Sequence, residues 1–110
     1  MEQFVKGDVV VVPFPFSDLS DTKRRPAFVA GVLDGDDLIL CQITSKKRDD
    51  SYSVPLSDSD FEEGTLYVES VIRPNRIFTA EKSIILYKAG TVNAAKMKEV
   101  EEVLVGIFRK

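Results

Sequence analysis

The sequence has no histidine, no tryptophan and a single cysteine, Cys41. Histidine is the commonest general base and metal ligand among side chains, so its absence excludes a Ser-His-Asp triad and a histidine–cysteine zinc site. One cysteine cannot form an internal disulfide. Any catalysis must therefore rest on other side chains, and we predict no metal and no other cofactor.

Long apolar runs are also missing. No segment approaches the ~18 residues of a membrane-spanning helix. The first eight residues, MEQFVKGD, do not have the basic start and apolar stretch of a signal peptide. We therefore expect a cytoplasmic protein with no membrane partner.

An excess of positive charge is the third absence. The chain has 15 Lys and Arg against 18 Asp and Glu, a formal net charge of −3. There is no global basic field to attract a polyanion, so a nucleic-acid role needs a local basic patch. With 44% hydrophobic and 30% charged residues in 110, we expect one folded domain covering 1–110.

Short apolar segments separated by turn residues predict a series of strands. Segment 38–43 is almost continuously apolar, which is typical of a strand buried on both faces. A turn is expected at 34–37, a loop at 15–25, and one helical turn after Ser57 that Gly64 closes. The predicted strands cover 8–14, 27–33, 38–43, 52–55 and 66–72, with an interruption at 73–75 and one or two more strands within 76–86.

In the last segment of the chain the apolar residues recur at the spacing of a helix rather than that of a strand. Asn93 is the expected N-cap of a C-terminal helix. Five to seven strands and one helix predict a mostly β fold, a small, partly open antiparallel barrel with a helix against it. The predicted apolar face of the helix carries Met97, Val100, Val103, Leu104, Ile107 and Phe108, and the opposite face Lys96, Lys98, Glu99, Glu101 and Glu102.

Three basic groups lie at predicted strand ends or in loops: 23–25, 46–48, and Arg73 with Arg76. Any one of these groups is explained by a charged loop exposed to solvent, without a binding role. If strands 27–33 and 38–43 form a hairpin, however, Arg25 and Thr44 meet at its far end. A guanidinium and a hydroxyl together suit a phosphodiester.

Each of these features has a structural alternative. Thr44 and Ser45 can satisfy backbone groups at a strand end. Phe14 and Phe16 can stack on bases, although aromatic residues at a strand end are more often core. Cys41 is expected to be a buried small hydrophobe without chemistry.

Several blocks in order along the chain resemble one known family. They are Lys6-Gly-Asp8 with Val9-Val-Val-Val-Pro-Phe14, then Arg24-Arg-Pro-Ala-Phe-Val29, Gln42-Ile-Thr-Ser45, Ser70-Val-Ile-Arg73 and Thr79-Ala-Glu-Lys82. In combination these blocks resemble the MazF/PemK family of toxin ribonucleases. The resemblance spans nearly the whole chain.

The resemblance implies an SH3-like barrel of the CcdB/MazF type and a homodimer. It also implies a toxin of a type II toxin–antitoxin system that cuts single-stranded RNA sequence-selectively without metal. The partner would be a cognate antitoxin whose disordered tail occupies the RNA groove, and the toxin–antitoxin complex would bind DNA.

The resemblance makes Arg25 and Thr44 the catalytic pair. Asn75 stands where some relatives carry an aspartate, and an amide cannot be a general base. Phe78 and Ile84 stand where the family often has arginine. We assign substrate binding to the surrounding residues Phe16, Ser17, Asp18, Lys23, Arg24, Ser45, Lys46, Lys47, Arg73, Asn75 and Arg76.

The expected reaction is attack of the ribose 2′-OH on phosphorus, with Arg25 and Thr44 stabilising the charge. Asp18 is the nearest carboxylate that could act as base, and capping a turn is its alternative role. Two other functions stay open. A toxin of the same fold could bind a protein such as DNA gyrase through Ile107 and Phe108, or the barrel could serve only for interaction.

Overall fold

A computed structural model describes residues 3–15, 22–46 and 50–110. Within them the chain forms seven strands, one α-helix and two 3₁₀ turns, Asp58–Asp60 and Lys82–Ile84. The elements are β1 (Asp8–Pro15), β2 (Thr22–Val32), β3 (Asp37–Thr44), β4 (Val54–Leu56), β5 (Phe61–Gly64), β6 (Ser70–Glu81), β7 (Tyr87–Val92) and α1 (Ala94–Phe108).

The described strands form one antiparallel sheet in the order β4-β6-β3-β2-β1-β7-β5. The sheet curves into a half-barrel whose edge strands are β4 and β5, and α1 packs against it. The predicted mostly β fold, a partly open barrel with a C-terminal helix, is confirmed.

The sheet is buried on both faces because its strands are apolar at successive positions. In β1, Val9 belongs to a core on the helix side, whereas Val10 belongs to a second core on the opposite face. In β3, Cys41 lies in the helix-side core and Leu40 in the opposite core. The predicted burial of 38–43 on both faces is therefore confirmed. In the turn before this strand, Gly35 takes the positive φ that was expected there.

Strand β2 begins earlier than predicted. Residues 22–25 were expected in a loop because they are polar and charged, but they are paired with β1. The pairing runs from Val12 opposite Arg25 to Pro15 opposite Thr22. The backbone hydrogen bonds to β1 outweigh the weak preference of charged residues for strands.

Strand β6 begins later than predicted and does not break where expected. Residues 66–69 are irregular, and Tyr67 has a φ of +64° that no strand accepts. At 73–75 the strand continues through a bulge: Gln42 faces Arg73, Cys41 faces Ile77, and residues 74–76 are extra. Similarly, the strand predicted at 52–55 is β4, which starts only at Val54.

Strand β7 was not predicted, and its partner β5 was expected to be part of a helical turn closed by Gly64. The 3₁₀ turn ends at Asp60, and Gly64 instead lies in β5 opposite Gly90. A Cβ atom at Gly90 would lie 2.4 Å from the carbonyl oxygen of Glu63. The two glycines let these short strands approach closely, and glycine also weakens the strand signal in the sequence.

Helix α1 begins where predicted, with Asn93 Oδ1 accepting the backbone N–H of Lys96 at 2.8 Å. Two side chains differ from the expected pattern. Lys96 is buried rather than on the polar face, because its Nζ donates to the carbonyl of Pro55 at 2.8 Å. Phe108 is 69% exposed, since the helix-side core extends along α1 only as far as Leu104. No helix in the described part of the chain is long and apolar enough to cross a membrane.

Candidate active site

Strands β2 and β3 separate at the open end of their hairpin, the end away from the turn at 34–37, and we call this place the split. Ala27 faces Gln42 as the last pair between these strands, so continuing the register places Arg25 across from Thr44. Beyond this pair β2 stays with β1, and β3 stays with β6 through Thr44 and Val71. Pro26 lies at the split and has no N–H to extend the ladder.

A cavity of about 270 Å³ occupies this end of the hairpin. Three consecutive residues from β2, 24–26, and three at the end of β3, 43–45, line it. The predicted pair Arg25 and Thr44 therefore borders one cavity. Its lining residues are Val11, Arg24, Arg25, Pro26, Ile43, Thr44, Ser45, Leu66, Val68, Ser70 and Tyr87.

Thr44 has the structural role that the sequence offered as an alternative. Its side chain is buried, and Oγ1 accepts the backbone N–H of Lys46 at 3.2 Å. A hydroxyl accepts and donates at once, so this bond leaves the O–H as a donor toward the cavity. The structural and the chemical role are thus compatible in one side chain.

The neighbours of this pair lie at the cavity mouth. Arg25 is half-buried, while Arg24 and Ser45 are exposed. Lys23 and Lys46 are also exposed, but neither lines the cavity. The positive charges therefore lie at the solvent side, where a polyanion would approach.

Arg73 and Arg76 lie beside Gln42, two residues along β3 from Thr44. Arg73 faces Gln42 across the β3–β6 pairing, and Arg76 Nε donates to Gln42 Oε1 at 3.3 Å. Asp50 forms an ion pair with Arg73 Nη2 at 3.6 Å. Because positions two apart on a strand share a face, these guanidinium groups extend the basic region from Thr44 along one face of the sheet.

Several other predicted positions can now be placed. Asn75 is exposed on the β6 bulge, Phe78 packs against the opposite core and Ile84 is partly exposed. Cys41 is buried as expected, and burial raises the pKa of its thiol to about 12, which keeps it neutral. Phe16, Ser17, Asp18 and Lys47 lie outside the described residues, as does the side chain of Phe14.

Seven residues of the cavity lining are not among the predicted site residues: Val11, Pro26, Ile43, Leu66, Val68, Ser70 and Tyr87. Tyr87 lies in β7, which the sequence does not predict, and Leu66 and Val68 lie in an irregular segment where the sequence predicts a strand. Val11, Ile43 and Ser70 lie in predicted strands, where no local pattern marks the end at which a cavity opens. Within the described residues, no three His, Cys, Asp or Glu side chains group as a metal site.

Comparison with solved structures finds the same fold at low identity. The chain is similar to an endoribonuclease in complex with its cognate antitoxin from a mycobacterial species, with a TM-score of 0.77, 16% identity and coverage of 97% of this chain and 96% of that one. It is also similar to the Mycobacterium tuberculosis toxin MazF-mt6, with a TM-score of 0.73, 17% identity and coverage of 93% and 96%.

A third similar structure is a MazE-MazF complex from Deinococcus radiodurans, with a TM-score of 0.71, 18% identity and coverage of 94% of each chain. A search of curated protein sequences finds no match. Residues 5–108 match the family of PemK-like, MazF-like toxins of type II toxin–antitoxin systems. This match covers nearly the whole chain, and the protein belongs to that toxin family.

Proposed function

We propose that this toxin is an endoribonuclease that cuts single-stranded RNA sequence-selectively without a metal ion. The observation that carries the proposal is the placement of Arg25 and Thr44 on one cavity at the split end of β2 and β3. Membership in the toxin family and likeness to solved endoribonucleases support it. The basic side chains at the mouth supply attraction for phosphates.

In the proposed reaction the ribose 2′-OH loses its proton to a base and attacks the adjacent phosphorus. The bond from phosphorus to the 5′ oxygen breaks, and that oxygen takes up a proton. The products are a 2′,3′-cyclic phosphate and a 5′-OH end. The guanidinium of Arg25 binds the non-bridging oxygens as charge builds, and the Thr44 O–H donates to the same group.

The remaining site residues position the RNA backbone. Arg24 and Ser45 contact phosphates at the cavity mouth and Lys46 contacts them beside it, while Arg73 and Arg76 contact a neighbouring part of the RNA strand. We also assign substrate contacts to Lys23, to Asn75 on the bulge, and to Phe16, Ser17, Asp18 and Lys47, which lie outside the described residues.

We propose a cognate antitoxin as the protein partner, and a homodimer in the cytoplasm as the working form. Two of the similar solved structures contain a toxin with its antitoxin. An acidic or disordered antitoxin segment on the basic mouth would block access of RNA to Arg25 and Thr44. Such a complex is also the proposed DNA-binding form.

The test is incubation of purified protein with a long single-stranded RNA in EDTA, followed by mapping of the cut ends. The wild type should give discrete cuts with cyclic phosphate termini. Arg25→Ala and Thr44→Val each remove one donor to the developing charge and should lower the rate about 10²–10³-fold. Lys98→Ala, an exposed charge on α1, serves as the matched control and should cut normally.

Intact RNA with the wild type, or equal cutting by Arg25→Ala, would overturn the proposal. A second candidate function, binding of a protein target such as DNA gyrase, is favoured by one observation, the exposed ring of Phe108. Under that alternative Phe108→Ala abolishes toxicity, and RNA stays intact with every variant.

A further inference from the structure

Tyr67 has an unusual backbone and an unusual exposure for an aromatic residue. Its φ is +64°, the only positive φ among the described residues other than glycines, and its side chain is 90% exposed. The backbone N–H of Tyr67 donates to Thr65 Oγ1 at 2.9 Å, which holds the turn. The ring therefore projects into solvent from a fixed, strained backbone.

The ring of Tyr67 does not contribute to either core. A left-handed backbone is also costly for a residue with a Cβ atom. Glycine at this position would relieve the strain, and a polar side chain would suit solvent better. A large flat ring presented in this way is suited to stack on another flat group.

A second cavity, of about 370 Å³, adjoins the ring. Its lining residues are Asp58, Thr65, Tyr67, Val68 and Glu69. Val68 also lines the cavity that holds Arg25 and Thr44, so the two cavities share a wall. A strand of RNA with its phosphate at the first cavity would bring a neighbouring base to the second.

The polar groups of the second cavity define which base fits. Within the described residues, neither the Asp58 nor the Glu69 carboxylate has a side-chain hydrogen bond or ion pair. Carboxylates accept from exocyclic amino groups, which guanine, adenine and cytosine carry. Uracil has no exocyclic amino group and offers only its N3–H, flanked by two carbonyl oxygens, so it donates less to the two carboxylates than an amino-bearing base.

We propose that Tyr67 and this second cavity form a base-binding subsite, in which the ring stacks on an amino-bearing base next to the scissile phosphate. Asp58 and Glu69 accept from the amino group of that base and disfavour uracil. The subsite deepens the endoribonuclease function proposed above and rests on it for the placement of the phosphate. It makes Tyr67 a determinant of where the RNA is cut.

The first experiment uses tryptophan fluorescence, because the natural chain has no tryptophan. Tyr67→Trp places the sole indole at the subsite. The probes are two 2′-O-methyl RNAs of ten nucleotides, which cannot be cut because every 2′-OH is blocked. One is all uridine, and the other has a single central guanosine. Stacking should quench the fluorescence, at lower concentration for the guanosine probe than for the uridine probe.

The control reporter is Val32→Trp. Val32 is partly exposed and lies at the other end of the β2–β3 hairpin from Arg25 and Thr44. Its fluorescence should not change with either probe. Equal quenching of Val32→Trp and Tyr67→Trp, or equal affinity of Tyr67→Trp for both probes, would overturn the subsite.

A second pair of variants separates the ring from the backbone. Tyr67→Gly removes the ring and relieves the strained φ, so it should melt no lower than wild type while binding the guanosine probe about 5- to 150-fold more weakly. Tyr67→Phe keeps the ring and should bind within about twofold of wild type. Unchanged binding by Tyr67→Gly, or weaker binding explained by a changed oligomeric state in sedimentation, would overturn the proposal.

The carboxylates have their own readout. Asp58→Asn and Glu69→Gln keep the shape of the cavity but add an amide donor, so they should narrow the preference for the guanosine probe over the uridine probe. The subsite and the nuclease can fail separately. If the probes quench selectively but cleavable RNA stays intact, the subsite stands and the nuclease function is contradicted. If cleavable RNA is cut but Tyr67→Gly binds the probes as tightly as wild type, the nuclease function stands and the subsite is contradicted.

Discussion

Asp50 shows how one side chain can organise the loop before β4. Its Oδ1 accepts the backbone N–H groups of Tyr52 at 2.9 Å and Ser53 at 2.8 Å, and the Ser53 hydroxyl at 2.9 Å. Its other oxygen pairs with Arg73. These donors, the Ser53 N–H first, lower the pKa of Asp50 below its ordinary value of 3.8.

A lowered pKa fixes the direction of a pH effect. The charged carboxylate holds the loop at pH values above 3.8, and this contribution is lost as pH falls through the lower pKa of the folded state. We expect an NMR titration of the Asp50 carboxyl carbon to give a midpoint below 3.8. Ser53→Ala removes the hydroxyl donor and should raise that midpoint, whereas a wild-type midpoint at or above 3.8 would contradict the bond network.

Residue-scale features differed in how well the sequence predicted them. Asn93 as N-cap and Gly35 as turn residue were predicted because both act within three residues of themselves. The strained φ of Tyr67 carries no such local signal, because tyrosine is a good strand residue. Lys96 is predicted on the polar face of the helix, since nothing near it in sequence shows that the Pro55 carbonyl accepts a hydrogen bond from its ammonium group.

At the scale of elements, the contact between β5 and β7 depends on glycine. A Cβ atom at Gly64 would lie 2.1 Å from the carbonyl oxygen of Ala89, and Gly64 has a φ of +71°. A Cβ atom at Gly90 would lie 2.9 Å from the ring of Phe61. A side chain at either position would therefore push the short edge strand β5 away from β7.

We expect Gly90→Ala to lower the free energy of unfolding by about 1–3 kcal/mol, because backbone of β5 must move to admit the methyl group. Gly106→Ala is the matched control, since its Cβ position in α1 faces open space. Alanine there should raise the free energy by about 0.5–1 kcal/mol through helix propensity. Urea denaturation measures both, and equal effects of the two substitutions would contradict the close approach.

At the scale of the whole molecule, the barrel is open between β4 and β5, and the start of α1 bridges the gap. The chain crosses from β4 to β5 through the 3₁₀ turn Asp58–Asp60. Lys96 Nζ donates to the β4 carbonyl of Pro55 and to Glu99, and lies 3.6 Å from the carboxylate of Asp60. The backbone N–H of Asn93 donates to the Asp60 carbonyl at 2.8 Å.

Lys96→Ala should therefore loosen the edge strands more than the centre of the sheet. We expect a loss of about 1.5–3 kcal/mol, typical of a hydrogen bond to a charged group, and faster amide exchange in β4 and β5 than in β2 and β3. Lys98→Ala, an exposed lysine on the same helix, should change stability by less than about 0.5 kcal/mol. Uniformly faster exchange across the sheet would show that Lys96 does not act locally on the gap.

The sequence by itself determined the features that depend on local pattern. Short apolar segments bounded by turn residues determined the strands around the cores, the change to helical spacing after Asn93 determined the helix, and the absence of histidine narrowed the chemistry. The ordered blocks from Lys6 to Lys82 led to the family. Each of these signals lies within a short stretch of chain, where spacing alone decides which side chains can be buried together.

Only the tertiary structure decided what those stretches do to one another. It joined Arg25 and Thr44, 19 positions apart in the sequence, on one cavity because the ladder between β2 and β3 ends at Ala27 and Gln42. It also brought Leu66, Val68 and Tyr87 to the same cavity, through a turn and a strand with weak local signals. Contacts between distant segments depend on register and on the closing of the barrel, which no local pattern specifies.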